Sequence, residues 1–174
     1  MAMLLALACW TAGCDRSQPD PAQARIDHRS VEDALQAADV YVSQGQLPEA
    51  LVICNGILDK VPDQPEALRM VAQLSQALSR DMAPDQAKQY MARALDARRR
   101  LVQLDPDQPR ARLEYGIILQ QMGRPHEAIE QYRACTELDP GSAEALHLLG
   151  HALLQDDQLD QSREVFMRLG EVAP

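Results

Sequence analysis

The sequence predicts an all-α chain: a solenoid of about four helix-turn-helix units over residues 31–174. Three observations lead there. A proline-centred phrase recurs, as "VPDQPEAL" at 61–68, "DPDQPRAR" at 105–112 and "LDPGSAEAL" at 138–146. Its prolines, Pro62, Pro106 and Pro140, together with Pro174, divide the chain into segments 31–64, 65–108, 109–142 and 143–174, of 34, 44, 34 and 32 residues. Self-similarity at such a period marks a stacked array. Finally, only 3% of the 174 residues are aromatic while 46% are hydrophobic. A core must therefore come from Leu, Ala, Val, Ile and Met, a set rich in helix formers.

Local signals place the helices in order. Ser30 and Asp33 form a weak capping box for the first helix. Pro48, Pro84 and Pro125 fall in the first turn of the second helix of a unit. Pro65 and Pro109 open first helices, where the missing N–H costs nothing. Gly45 and Gly123 lie at the turn between the paired helices of the first and third units. The segment 65–108 has about ten extra residues, and Pro84 divides them: about two at the end of its first helix, about eight at the start of its second. That second helix then runs from 84 to 104. Its added turns carry Met82, Tyr90 and Met91 nearby, either as an adaptable contact surface or as core against a neighbouring helix. Gly116 stands inside a helix, where glycine costs about 1 kcal/mol relative to alanine.

The residues resemble the tetratricopeptide repeat (TPR) family in detail. The small residue at the eighth position of a unit is Ala38, Ala72, Gly116 and Gly150. At the twentieth position stand Ala50, Ala94, Ala128 and Ser162. The aromatic at position 24 is Tyr132 and Phe166 in the last two units, but Cys54 and Arg98 in the first two. This resemblance implies a right-handed α-solenoid of antiparallel helix pairs, in which a small eighth residue lets two backbones approach. Close approach would account for Gly116.

The resemblance also implies a concave groove lined by the first helix of each unit, with a protein or peptide segment as its partner. The groove positions are Glu32, Leu35 and Asp39 in the first unit, with Val42 and Ser43 further along. Glu66, Arg69 and Gln73 follow in the second, then Gln76 and Ala77. The third supplies Arg110, Leu113, Ile117, Gln120 and Gln121, and the fourth Glu144, His147, His151, Leu154 and Gln155. Leu113 and Ile117 are the candidate apolar anchors. The Lys and Asn clamp with which chaperone-binding members hold a terminal carboxylate is absent, since Leu35 and Asp39 stand at its places. An acidic entrance followed by an apolar and amide floor suits a basic or amphipathic segment.

Other chemistry is sparse. A formal net charge of −9 argues against nucleic-acid binding, which needs a basic face. There is no Gly-rich phosphate loop, CxxC pair or nucleophile elbow, so neither a cofactor nor an enzymatic activity is expected. Glu144, His147 and His151 are three and four apart and share one helix face. Such a set is able to ligate Zn²⁺ or Fe²⁺. "HLLGH" nevertheless lacks the Glu of a metalloprotease, so groove lining is the preferred reading and a metal-dependent activity at His147 and His151 the remote alternative. Cys54 and Cys135 belong to non-adjacent units and read as buried apolar fillers. Arg98, Arg99 and Arg100 read as a solvated patch near a helix C-terminus, with the stem of Arg98 packing where an aromatic is expected.

The N-terminus has a different character. Residues 1–13 read as a signal-peptide-like leader. "TAGC" resembles the lipobox of bacterial lipoproteins, which implies cleavage and lipid modification of Cys14. Residues 14–30 then form a flexible tether. No apolar run approaches the ~20 residues that span a bilayer, so acyl chains alone would anchor the protein. Thr11 stands where the lipobox prefers Leu, and no Lys or Arg precedes the apolar run. The combined expectation is a membrane-tethered scaffold of the cell envelope, aiding assembly or secretion of other proteins. The alternative is a soluble cytoplasmic adaptor whose start was assigned wrongly. The last unit carries no polar capping helix, so its edge at Val165 and Leu169 is a candidate for self-association.

Overall fold

The computed structural model describes residues 21–173, with side chains from Ser30 onward. The leader and Cys14 lie outside the described residues. Among those described are eight α-helices and no strand. They are α1 (Pro21–Ser43), α2 (Leu47–Lys60), α3 (Pro65–Ser79), α4 (Pro84–Leu104), α5 (Pro109–Gln121), α6 (Pro125–Leu138), α7 (Ala143–Gln155) and α8 (Leu159–Val172). Each packs chiefly on the helices before and after it in the chain. Nearest-neighbour packing of this kind makes a solenoid. Among the described residues no helix is long and apolar enough to cross a membrane.

Helix starts follow the prolines. Pro48, Pro65, Pro84, Pro109 and Pro125 occupy the first or second position of α2 to α6. A helix needs no N–H there, and proline's φ is already helical. The start of α7 uses Ser142 instead, whose hydroxyl accepts the Ala145 N–H at 3.3 Å. The first helix departs from expectation. It begins at Pro21, so Ser30 sits inside it rather than at its N-terminus, and residues 21–30 are helical. Pro21 offers the same favoured first position, and the Ala, Gln, Arg and Ile that follow oppose a helix only weakly.

The turns within units one, three and four share one hydrogen-bond pattern. Gln46, Arg124 and Gln158 each donate their N–H to a carbonyl five residues back, Tyr41, Leu119 and Leu153, all at 2.9 Å. This is the Schellman closure, and it needs a left-handed residue just past the helix. Gly45 (φ 75°) and Gly123 (φ 72°) supply it at no steric cost, while Asp157 adopts φ 57° in the last unit.

The second unit is lengthened where Pro84 marks it. Helix α3 has 15 residues against 13 in α5 and α7, and α4 has 21 against 14 in α2, α6 and α8. Tyr90 packs half-buried on the core, and the Sδ of Met91 accepts the Ser79 hydroxyl at 3.4 Å. The added turns are thus seated on the stack.

The apolar interior has two main parts. One joins α1 to α4 through Ala38, Leu51, Cys54, Leu68, Val71 and Leu101; the other joins α5 to α8 through Leu113, Leu119, Tyr132, Leu146, Leu149 and Leu153. Leu95 of α4 packs against the second part. At the C-terminal edge Val165 is buried, while Leu169 packs against the same core and keeps part of its surface. Met167, at 66%, and Val172 are exposed apolar side chains on the same helix.

Gly116 is explained by a ring rather than by a second backbone. A Cβ at Gly116 would lie 2.5 Å from Cε1 and 2.8 Å from Cδ1 of Tyr132. A Cβ at Gly150 would lie 2.7 Å from Cζ of Phe166. Eighth and twenty-fourth positions therefore change together: glycine faces an aromatic ring in units three and four, and alanine accompanies Cys54 or Arg98 in the sequence of units one and two. Ala38 and Ala72 are fully buried, so the methyl fills space a ring would take. Ser162, standing for the usual alanine, hydrogen-bonds its buried hydroxyl to the Gly150 carbonyl at 2.8 Å.

Gly116→Ala should lower the urea midpoint by an amount worth about 1–3 kcal/mol, overpacking outweighing the gain in helix propensity. Gly150→Ala should cost less, because Phe166 is only half-buried and has room to move, whereas Tyr132 is fully buried. In a Tyr132→Cys background, Gly116→Ala should become neutral or stabilising, reproducing the pairing of Ala38 with Cys54.

Candidate protein-binding face

The first helices of units two, three and four, α3, α5 and α7, are tied side to side by carboxamides. Gln76 Nε2 donates to Gln121 Oε1, and Gln120 Nε2 donates to Gln155 Oε1, each at 3.1 Å. The Tyr132 hydroxyl donates to the Gln120 Oε1 at 2.9 Å, fixing that amide from the core side. Neighbouring units are thereby held in register along one continuous polar strip.

Most of the expected groove residues reach solvent on the first helices of the four units, α1, α3, α5 and α7. Glu32, Asp39, Glu66, Gln73, Arg110, Glu144, His147 and His151 are exposed, while Leu35, Arg69, Ile117 and Gln120 are half-buried. Leu113 is a correction. It is 7% exposed and part of the core formed by α5 to α8, so it supplies no accessible anchor. Ile117 also packs against that core and keeps only part of its surface. The accessible part of the face is therefore mostly polar.

Arg98 is the residue that sequence reasoning misplaced. It is not part of a solvated patch: its side chain is 4% exposed and its Nη1 donates to Glu114 Oε2. Glu114 Oε1 accepts a second bond from Arg110 Nε at 3.0 Å. Burial pushes the Arg98 guanidinium below its ordinary range; Glu114 opposes that shift, while the positive charges of Arg110 and Arg69 add to it. Arg98 Nε is buried without a hydrogen-bond partner among the described residues. The signal was present in the sequence, because a charge at an aromatic core position demands an opposite charge nearby. The other two arginines lie outside. Arg100 donates to the Pro62 carbonyl and to Asp63 at 3.1 Å, tying α4 to the turn between α2 and α3, and Arg99 is exposed.

The histidine set forms a stack. The rings of His147 and His151 are 4.4 Å apart at 62°, and His151 meets Phe166 edge-on at 5.3 Å. Among the described residues no group of three His, Cys, Asp or Glu side chains is placed to hold a metal ion. The remote metal reading of Glu144, His147 and His151 therefore gains nothing from the geometry. The added turns of unit two offer a separate concavity of about 300 Å³ lined by Met82, Gln86, Gln89, Tyr90 and Arg93. The Arg93 guanidinium lies 5.9 Å from the Tyr90 ring centroid.

Cys54 and Cys135 are buried and unpaired, as fillers should be. Burial, with the Asp39 charge adding to it, pushes the Cys54 thiol up to about 11, and burial raises Cys135 as well.

A tetratricopeptide repeat model matches residues 85–168. Over those residues the chain is similar to the tetratricopeptide repeat. The described chain is similar in fold to solved MamA structures: one from Desulfovibrio magneticus RS-1 superposes with a TM-score of 0.69 at 18% identity, covering 86% of this chain and 79% of that one. A second MamA crystal structure gives 0.69 at 21% identity, with 86% and 76% covered, and a MamA RS-1 double mutant gives 0.71 at 18%, with 87% and 79% covered. At these identities the likeness is one of fold. Comparison with curated proteins found no match in sequence. Within the TPR frame, the carboxamide ties lie between the twelfth position of one unit and the thirteenth of the next.

Glu114→Gln should lower the denaturation midpoint by an amount worth about 2 kcal/mol or more, since it leaves Arg98 buried without a counter-charge. Arg98→Met should cost less or stabilise, because it removes the buried charge itself; equal losses in the two variants would refute this account. Below pH 9 the Cys54 thiol remains protonated, so iodoacetamide followed by mass-spectrometric mapping should leave Cys54 and Cys135 unlabelled until the protein is denatured.

Proposed function

We propose that this chain is a non-enzymatic protein-interaction scaffold, held at a membrane by lipid on Cys14, whose A-helix face grips a segment of other proteins during envelope assembly or secretion. One observation carries the binding part: a polar strip runs unbroken across α3, α5 and α7, held in register by Gln76–Gln121 and Gln120–Gln155. A rigid surface that exposes amides and charges over several units is suited to a long, extended or helical segment, because the ordering cost falls on the ligand alone. The repeat match to residues 85–168 supports the same reading. For the tether, the support is the sequence "TAGC" after an apolar run. Recognition is expected to favour a basic or amphipathic segment at the first unit, where Glu32 and Asp39 are exposed.

The test is crosslinking in the source cells followed by affinity recovery, on the native chain and on Cys14→Ser in parallel. Native protein should come from the membrane fraction with a defined set of envelope proteins, and the variant should lose that location and most of the set. Soluble behaviour of both forms, with the same cytoplasmic partners, would replace this reading with the soluble adaptor.

A further inference from the structure

The junction between the second and third units carries a surplus of positive charge on an otherwise acidic chain. Arg98, buried, requires the Glu114 carboxylate as its counter-ion. Arg110 bonds to the other oxygen of the same carboxylate, so its own charge is only shared, and its side chain is 81% exposed. Arg69 lies at the matching register of the neighbouring first helix. Gln76 and Gln121 are bonded, and Arg69 and Glu114 each stand seven residues before them on helices running the same way. The charge of Arg69 accordingly acts on Arg98. The partner of Arg69 is Glu66 at 2.6 Å, with side chains 42% and 52% exposed. A pair so exposed contributes little and yields easily to a better acceptor. Three guanidiniums thus share two carboxylates, and the cluster grades from a buried base at Arg98 to open donors at Arg110 and Arg69.

We propose that Arg69 and Arg110 form a binding subsite for an acidic side chain of the partner segment, with Glu114 and the buried Arg98 as its fixed base. This rests on the reading of the A-helix face as the partner-binding surface, and it makes that face bipolar. Bonded to Glu114 through Nε, Arg110 keeps both terminal nitrogens for another acceptor; among the described residues they have none. A carboxylate set between Arg110 and Arg69 would take charge-assisted hydrogen bonds from both. The opposite pole is Asp39, exposed on α1. Two glutamine side chains meeting end to end, as in Gln76–Gln121 and Gln120–Gln155, set first helices of successive units roughly 10 Å apart. The two poles are then spanned by roughly four or five residues of extended chain at ~3.3 Å each. The ligand chemistry is therefore an acidic residue four or five places from a basic one.

The probe is a random library of peptides of about twelve residues, displayed at the N-terminus of a phage coat protein and so lacking a free carboxyl end, panned on the immobilised full chain. Enriched peptides should share an Asp or Glu with a Lys or Arg four or five residues away. Changing that acid to its amide should weaken binding roughly tenfold to a hundredfold. Against the double variant Arg69→Gln, Arg110→Gln, whose substitutions are on accessible side chains and should leave the thermal midpoint in place, the acid preference should vanish while the basic preference stays. Enriched peptides without an acid would overturn the subsite and leave the groove reading intact. A second library with free carboxyl ends separates the sources, since selection of terminal carboxylates alone would also overturn it. If neither library enriches, the binding face itself is wrong and the subsite falls with it.

Discussion

Every unit of this solenoid depends on how near its two helices come at the eighth position. The side chain at position 24 of the second helix lies against that point, and the pair must together fill one volume. Units three and four meet the requirement with a bare glycine under an aromatic ring. Units one and two carry alanine at the eighth position, fully buried, with Cys54 or Arg98, also buried, at the twenty-fourth. Protein interiors tolerate neither a void nor an extra methyl at such a contact, so each exchange on one helix requires its complement on the other. The propensity lost at Gly116 is small beside the packing this arrangement secures.

Using an arginine for that volume has a second effect. An aromatic ring ends its influence at the helix it touches, whereas a buried guanidinium must find a carboxylate. It finds Glu114 on the next unit, and Glu114 in turn engages Arg110. A packing choice inside unit two thereby organises charge on the outside of unit three. Buried ion pairs of this kind are weak contributors to stability compared with apolar packing of similar size, which makes the arrangement more intelligible as a determinant of surface chemistry than of folding.

Much of the architecture was legible in the sequence for physical reasons. Proline can stand in the first turn of a helix and almost nowhere else within one, so Pro48, Pro65, Pro84, Pro109 and Pro125 marked starts reliably. Glycine past a helix end marked Gly45 and Gly123, although Asp157 does the same job without a glycine to announce it. The start of α1 was not legible, because Ser30 is equally compatible with a cap and with a helical interior when the residues ahead of it also favour helix. The site was read less well than the fold. Leu113 satisfies the family's groove register but lies in the core, and register alone does not report how deeply a helix is rotated into its neighbours. For Arg98 the sequence shows a stem suited to a core position, but charge usually means surface, and the Glu114 partner that lets the guanidinium be buried too lies on another unit.

The division of the apolar interior sets how the molecule comes apart. Of the three seams between units, those at α2/α3 and α6/α7 lie inside a continuous core, while at the seam between units two and three the two parts are joined by Leu95, the Arg98 to Glu114 pair and the Gln76 to Gln121 amide bond. A stack whose cohesion is uneven in this way loses cooperativity at its weakest junction. The boundary between the two apolar parts is the connection from Asp105 to Gln108, between α4 and α5.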